Sequence, residues 1–293
     1  MENSNGGDID ETQRSCFDAW MSLQAQNMVD LKHALVDHRS VDQNHGLGHR
    51  NCIDEALREL NQKIVRDFEQ YMRKRYELAR RFSSPYFAPP WNSQLENALL
   101  WMGGCRPSSF IRLIYALCGA ETEMFLSKFI DLSSCPNYSP ATDVIGEVET
   151  GCSIGGLTTT QMRKLNDIHI ATVQAEDKLT SRVASVQEDT SDKPAALVAY
   201  YVDSVGGSHE AVERALDKQE AALAEIVSEA DKLRLSTMKS IIGILSTVQA
   251  SDFLFAAKKL HLSMHEWGSL RDRRRRNVCA FAGEDGPSRV ADE

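Results

Sequence analysis

The stretch Trp91-Asn-Ser-Gln-Leu-Glu-Asn-Ala-Leu-Leu-Trp-Met-Gly-Gly-Cys-Arg-Pro-Ser-Ser-Phe-Ile-Arg-Leu-Ile-Tyr115 predicts two helices joined by a tight corner. Ser93 and Glu96 have the spacing of a capping box, in which each side chain binds the other residue's unpaired backbone amide. The first helix is expected to run up to Gly103-Gly104, because glycine takes the left-handed geometry of a helix end without strain. Pro107 then opens the second helix, since a missing N–H costs little in a first turn.

The same helical spacing of apolar residues extends over most of the chain. In the first half it predicts helices over about 10–38 and 53–82, and a proline-containing connector over 83–90. In the second half it predicts helices over about 158–186, 212–233 and 253–270, the first of them opened by a further capping box at Thr158 and Gln161. Two polar residues, His169 and Glu176, interrupt the apolar face of that helix.

These patterns predict an all-α fold, a multi-helix antiparallel bundle with an irregular loop near the middle. The loop is expected over 133–156, a stretch rich in Ser, Pro, Gly and Thr that reads equally well as a linker between two helical halves. The bundle is expected to occupy residues 10–276, with disordered tails over 1–9 and 277–293.

Composition excludes several classes of function. The net charge of −9 argues against general affinity for nucleic acid or anionic membranes, which favours a basic surface. No apolar run approaches the length of a membrane span, and the polar start of the chain does not have the pattern of a signal peptide. The seven cysteines show no CxxC spacing, which indicates reduced thiols in the cytosol or nucleus.

Motifs for catalysis are missing from the sequence. His261-Leu-Ser-Met-His265 has the histidine spacing of zinc proteases, but Leu262 stands where the glutamate base belongs. No G-x-S-x-G elbow occurs, and no cysteine lies in a nucleophile motif. We therefore expect a protein that is not an enzyme.

The two histidines still form a candidate cofactor site. The last helix is expected to bury an apolar stripe of Phe253, Ala257, Leu260, Met264 and Trp267. His261 and His265 would lie on the flank of this stripe, and Gly268 would leave a notch beside their ring nitrogens. Such a helix could hold a flat apolar cofactor. The alternative is that the histidines are boundary residues of the core.

Two further clusters each allow more than one interpretation. The basic run at Arg271, Arg273, Arg274, Arg275 and Arg276 is a nuclear-localisation patch, an anion-binding site for a partner, or a solvated helix end, where cations complement the helix dipole. The cluster of Phe17, Trp20 and Met21 is either a partner-binding face, since such residues are enriched at interfaces, or ordinary core.

Several literal runs are similar to a known family. They are Phe17-Asp-Ala-Trp-Met-Ser-Leu-Gln24, the opening stretch 91–115, Ala215-Leu-Asp-Lys-Gln-Glu220, Ala257-Lys-Lys-Leu-His-Leu-Ser-Met-His-Glu-Trp-Gly268 and Arg271-Asp-Arg-Arg-Arg-Arg276. Together they resemble the plant delay-of-germination domain, which also forms the C-terminal part of the TGA class of bZIP transcription factors. The runs cover nearly the whole chain.

This resemblance implies a non-enzymatic regulator of seed dormancy in abscisic acid signalling. It implies haem binding at His261 and His265, with both histidines or only one as axial ligand. It also implies binding of clade A type-2C protein phosphatases through the segment that holds Phe17, Trp20 and Met21. From the basic run we expect a location in the nucleus, with the cytoplasm as a second location. Self-association is a further expectation. The alternative is a TGA-like transcriptional co-regulator, although the chain lacks the basic region and zipper that DNA binding requires.

Overall fold

A computed structural model of the protein describes residues 5–44, 47–130, 153–192 and 209–282. Within these ranges there is no β-strand, and short 3-10 turns lie at Ser84–Tyr86 and Ser153–Gly156. The prediction of an all-α fold is confirmed. The α-helices are α1 Asn5–Asn44, α2 Leu47–Ala79, α3 Gln94–Ala98, α4 Ser108–Ile130, α5 Thr159–Asp192, α6 His209–Ile244 and α7 Thr247–Ala282.

Several helices are longer than their apolar spacing predicted. α1 begins at Asn5, inside the tail expected over 1–9, and α7 continues to Ala282, beyond the expected boundary at 276. Most of the loop predicted over 133–156 lies outside the described residues, and its last residues form the turn Ser153–Gly156.

Cross-helix contacts show that neighbouring helices run antiparallel. Between α1 and α2, Trp20 stacks on Tyr71, while His38 bonds to Asp54. Between α5 and α6, Thr172 pairs with Thr237 and Arg182 with Glu229, so the partner number falls as the first number rises. α7 lies along α1 and α2. This is the bundle topology that the long heptad-like spacings predicted.

The main core lies where these helices meet α4. Its buried side chains come from every long helix, among them Leu31, Ile64, Ile111, Leu165, Ile241 and Phe253. None of the helices in the described ranges is long and apolar enough to cross a lipid bilayer.

The corner between α3 and α4 differs from its prediction. α3 ends at Ala98 and does not reach the two glycines. Trp101 and Gly104 instead pair through two backbone hydrogen bonds of 2.8 and 3.1 Å. Met102 and Gly103 between them have φ of 45° and 76°, as in a tight hairpin turn whose two central residues are both left-handed. The glycine was correctly expected to have positive φ, but the helix end was placed wrongly.

Two buried arginines bind the backbone of the corner. Arg75 of α2 donates to the carbonyl of Gly103 at 2.8 Å, and Arg234 of α6 donates to the carbonyl of Cys105 at 2.7 Å and that of Met102 at 3.0 Å. Both guanidinium groups share Asp231 as counter-ion. These bonds hold the backbone of residues 102–105 in the hairpin turn, so the corner is fixed by distant charged residues.

A second polar contact fixes the start of α4. Glu176 of α5 is fully buried, and its carboxylate accepts hydrogen bonds from the backbone N–H of Ser108 at 2.6 Å and from the Ser108 hydroxyl at 3.0 Å. A negative charge at a helix N-terminus is favourable because unpaired N–H groups point at it. Glu176, one of the two polar interruptions in the α5 pattern, therefore caps another helix.

Candidate functional site

The buried face of α7 differs from the predicted stripe. Leu260 and Trp267 are each 50 % exposed, so the prediction that they belong to the core is wrong. The face turned inward instead carries Leu254, Lys258 and Gly268, which are all buried, with the two histidines between them partly buried. The polar residues on this face have partners on α1 and α3: Lys258 binds Gln24, and His265 binds Glu96.

The contact that organises this region is between His265 and Glu96. The Nδ1 atom of His265 lies 3.0 Å from one carboxylate oxygen of Glu96 and 3.1 Å from the other. Since an ionised carboxylate only accepts hydrogen bonds, the proton of this contact belongs to Nδ1, and in the neutral tautomer with this proton the lone pair is on Nε2. We refer to His261, His265, Glu96, Ser93 and Gly268 as the histidine junction.

The capping box at the start of α3 is the other half of the junction. The hydroxyl of Ser93 accepts from the Glu96 amide, and the Glu96 carboxylate accepts from the Ser93 amide at 2.8 Å, which confirms the predicted box. The same carboxylate therefore caps α3 and holds His265. This joint role fixes α3 on α7.

Gly268 does not leave the predicted notch. Its backbone lies directly beneath Ser93, and a Cβ atom added there would fall 2.7 Å from the Cβ of Ser93 and closer still to the hydroxyl oxygen. The space that the glycine provides is thus filled by the first residue of the capping box. The expectation of an open notch beside the imidazoles is wrong, because α3 packs into it.

Two side chains of α7, His261 and Lys258, have lowered pKa values. Burial lowers the pKa of His261; the charge of Glu96 opposes this effect, and the electrostatic influence of His265 and Lys258 adds to it. Burial also lowers the pKa of Lys258 to about 7. The Lys258 amine donates to the side-chain oxygen of Gln24 on α1 at 2.8 Å. A neutral imidazole is the form that binds metals.

Phe17 and Trp20 lie inside the bundle and not on its surface. Each is 8 % exposed, while Met21 is partly buried. Trp20 stacks on Tyr71 with ring centroids 4.3 Å apart and an angle of 2° between the planes. The ring of Phe17 packs edge-on against His265 at 5.6 Å. Of the two interpretations of this cluster, Phe17 and Trp20 therefore fit ordinary core. Their packing brings the N-terminal segment into contact with the histidine junction.

The arginines of the basic run lie on the exposed last turns of α7. Arg275 donates to the side-chain oxygen of Gln94 at 2.8 Å, and Asp272 accepts from the Gln94 amide at 2.9 Å. Both contacts hold the start of α3. The other arginines of the run, at 271, 273, 274 and 276, are exposed, as every interpretation given for the basic run requires.

One feature of the histidine junction suits the binding of haem iron. A histidine whose Nδ1 proton is held by a carboxylate presents Nε2 to a metal, with raised basicity and a fixed ring orientation. In the described part of the chain no three metal-binding side chains converge, so the junction does not resemble a closed site for a bare ion. Two cavities, of about 510 and 210 Å³, lie elsewhere on the bundle. The other polar residue in the apolar face of α5, His169, packs against Tyr115 and is not part of the junction.

Sequence reasoning missed the contact of Glu96 with His265 and the nearby residue Lys258. Glu96 was assigned only its local capping role, because the capping-box spacing carries no information on a partner 169 residues away. Lys258 was overlooked altogether. Its position one turn before His261, on the same face, was the available signal.

Comparison with known proteins gives full-length matches. Residues 28–116 match the family model DOG1, described as seed dormancy control. The chain is 47 % identical over 290 residues to Protein DOG1-like 1 of Arabidopsis thaliana, with 98 % of both chains covered. It is 46 % identical over 273 residues to Protein DOG1-like 3 of the same plant, covering 93 % of this chain and 89 % of the relative.

More distant similarity reaches two other kinds of protein. Protein RESPONSE TO ABA AND SALT 1 of Arabidopsis thaliana is 25 % identical over 231 residues, 74 % of this chain and 84 % of its own. Transcription factor TGAL6 of Oryza sativa subsp. japonica is 24 % identical over 242 residues, which cover 82 % of this chain but 48 % of the factor. The domain shared with TGA factors is thereby confirmed.

Proposed function

The chain belongs to the DOG1 family of seed-dormancy proteins, and from this membership we propose that it is a non-enzymatic regulator of dormancy in abscisic acid signalling. In this proposal it binds clade A type-2C protein phosphatases and haem. Similarity over nearly the full length to DOG1-like proteins supports the dormancy role, and similarity to a protein named for its response to abscisic acid supports the pathway.

The observation that carries the haem proposal is the hydrogen bond between His265 and Glu96. It leaves Nε2 of His265 as the nitrogen for the iron, with His261 one turn earlier as a neutral neighbour. Haem bound to such a histidine supplies an iron centre whose potential depends on its axial ligand. Leu260 and Trp267, which are half exposed on the same helix, offer apolar surface next to the junction.

Titration of the purified protein with hemin tests this proposal. We expect a sharp, red-shifted Soret band that saturates near one equivalent, and its loss when both histidines are replaced by alanine. His33→Ala is a matched control, because His33 is exposed on α1 and outside the junction. Equal spectra for the wild-type protein and the double variant would refute the site.

A second variant tests whether the Glu96 carboxylate supports haem binding by His265. Glu96→Gln keeps the size of the side chain but removes the charge that holds the Nδ1 proton of His265. Loss of such a partner weakens metal binding by about 10–100-fold. Unchanged affinity in Glu96→Gln, with binding still lost in His265→Ala, would show that His265 binds haem without help from Glu96.

The phosphatase proposal needs a surface on the N-terminal half of α1. Since Phe17 and Trp20 are buried, they would support the segment from inside, and the contact would fall on the exposed residues Asp18, Ala19 and Ser22. A helix held rigidly along its inner face is suited to binding, because little order has to be gained on association.

Pull-down of purified phosphatase tests the proposed surface. Asp18→Arg and Ala19→Arg are expected to weaken binding by more than tenfold without a change in melting temperature, because both side chains point to solvent. Asp37→Arg, which changes the charge as much as Asp18→Arg does, at an exposed site near the other end of α1, is the control. Loss of binding in all three variants alike would indicate a general effect of charge.

Nuclear location and the TGA-like alternative have separate tests. Replacing the four consecutive arginines 273–276 by glutamine should shift a fluorescent fusion towards the cytoplasm if the run is a nuclear-localisation signal.

A TGA-like co-regulator is favoured by the distant match to TGAL6, of which the chain spans less than half. A gel-shift experiment with a TGA factor and its DNA, with and without this protein, would reveal such a role.

A further inference from the structure

A carboxylate of α6 binds the start of the connector between α2 and α3 through several hydrogen bonds. Glu220 of α6 accepts hydrogen bonds from the backbone amides of Ser83 at 2.7 Å and Ser84 at 3.1 Å. It also accepts from both serine hydroxyls. Burial raises the pKa of Glu220, but the hydrogen bonds from the two serines outweigh that effect and hold the pKa below its usual value. The carboxylate is therefore ionised at neutral pH.

The two serines differ in accessibility. Ser83 is fully buried, whereas Ser84 is exposed and its hydroxyl reaches solvent beside Glu220. Pro85 follows Ser84 directly, at the start of the 3-10 turn Ser84–Tyr86. An exposed serine followed by proline, in a connector outside the long helices, has the chemistry that proline-directed kinases recognise.

Two cations precede the exposed serine. Arg80 and Arg81 lie on the surface at the end of α2, and neither forms an ion pair with a side chain in the described ranges. The guanidinium group of Arg80 lies over the ring of Tyr76, 6.0 Å from its centroid. The two arginines stand four and three residues before Ser84, and guanidinium groups bind phosphate through paired N–H donors.

We propose that Ser84 is a phosphorylation site for a proline-directed serine/threonine kinase, and that its phosphorylation releases the connector from Glu220. In the reaction the γ-phosphoryl group of ATP is transferred to the Ser84 oxygen. The bond between the γ-phosphorus and the bridging oxygen breaks, a new P–O bond forms, the hydroxyl proton is released, and ADP leaves.

Charge determines the effect of the modification. The ester oxygen of phosphoserine has no proton to donate, so Glu220 loses one of its four hydrogen bonds. The phosphate also brings close to two negative charges next to an ionised carboxylate. Repulsion from Glu220 therefore favours displacement of the connector from α6.

The connector also touches α1. The side-chain amide of Gln13 donates to the carbonyl of Phe82 at 2.8 Å. Displacement of the connector would break this bond, four residues before Phe17. The modification would thus reach the N-terminal segment, although the site itself does not depend on the function proposed above.

Treatment of the purified full-length protein with a proline-directed kinase and ATP tests the proposal. Mass spectrometry is expected to place phosphate on Ser84 and to find none at this position in Ser84→Ala, which also separates it from the second Ser-Pro pair at Ser139. In Glu220→Ala the freed hydroxyl should react roughly tenfold faster, a factor that corresponds to about 1.4 kcal/mol and to a hydrogen bond with a charged partner. Glu213→Ala, an exposed glutamate on the same helix, is the control and should react at the wild-type rate.

Hydrogen exchange then measures the release of the connector. Deuterium uptake over residues 80–90 should rise on phosphorylation of the wild-type protein, and should be high in Glu220→Ala both before and after the reaction. Absence of phosphate on Ser84 would overturn the site. Phosphate on Ser84 with unchanged uptake would overturn the release mechanism.

Discussion

Substitution of Gly268 by alanine tests the packing that holds α3 on α7. The structure leaves no room for a Cβ atom, since that atom would overlap the hydroxyl of Ser93 and lie 2.7 Å from its Cβ. These atoms belong to a capping box and not to the end of a flexible chain, so they cannot turn away without breaking the box. We therefore expect alanine to displace α3 from the histidine junction.

The magnitude follows from three effects. Loss of a serine N-cap costs about 1 kcal/mol. Overpacking of a filled site costs about 1–3 kcal/mol. Alanine restores about 0.5–1 kcal/mol, because it is a better helix former than glycine. The expected loss of unfolding free energy is about 2 kcal/mol.

Urea unfolding followed by circular dichroism measures this loss. Gly243→Ala is the matched control, because Gly243 is also in a long helix but has no atom within 4 Å of an added Cβ. That control should gain about 0.5–1 kcal/mol from helix propensity alone. The two glycine substitutions are thus expected to have opposite signs.

A second-site change tests whether Ser93 is the cause. Ser93→Gly removes both atoms that alanine would meet, while glycine remains an acceptable N-cap. In this background Gly268→Ala should cost at least 1 kcal/mol less than in the wild-type protein. An equal cost in both backgrounds, or wild-type stability of Gly268→Ala itself, would refute the packing argument.

Other substitutions probe the interior. Trp20→Ala should lose about 3–5 kcal/mol of unfolding free energy in urea, because the ring is buried against Tyr71; a loss below 1 kcal/mol would mean that the ring is not core. Asp231→Asn should lose about 3–5 kcal/mol in the same measurement, since it leaves two buried arginines without their counter-ion, and a near-neutral effect would contradict their burial. Lys258 has a folded pKa of about 7, below its usual value, so its contribution to stability is complete above the unfolded pKa and is lost as the pH falls towards 7. Lys258→Met should therefore gain in stability relative to the wild-type protein as the pH is lowered from 10 to 7, and a constant difference would show that the amine is not desolvated.

The helical class and the local caps could be predicted from the sequence. Apolar residues repeat every three or four positions over most of the chain, and this spacing was sufficient for the all-α prediction. The capping boxes at Ser93 and Thr158 were found because both partners lie three residues apart. Such signals depend only on neighbours in the chain.

The orientation of α7 could not be predicted in the same way. The helix carries apolar residues on one side and Lys258, His261 and His265 on another, and the polar side is the one that faces inward. A hydrophobic stripe predicts burial only when the polar side has no partners. Here Gln24 and Glu96 supply partners from distant parts of the chain, and Leu260 and Trp267 are left half exposed.

The sequence by itself therefore determined which residues form helices and how several of them begin, because capping and periodicity act within one or two turns. Only the tertiary structure decided that Glu96 holds His265, that Ser93 fills the space over Gly268, and that Glu176 caps α4. The physical reason is that a buried carboxylate needs hydrogen-bond donors but does not specify where in the chain they come from. That choice is made when the helices pack.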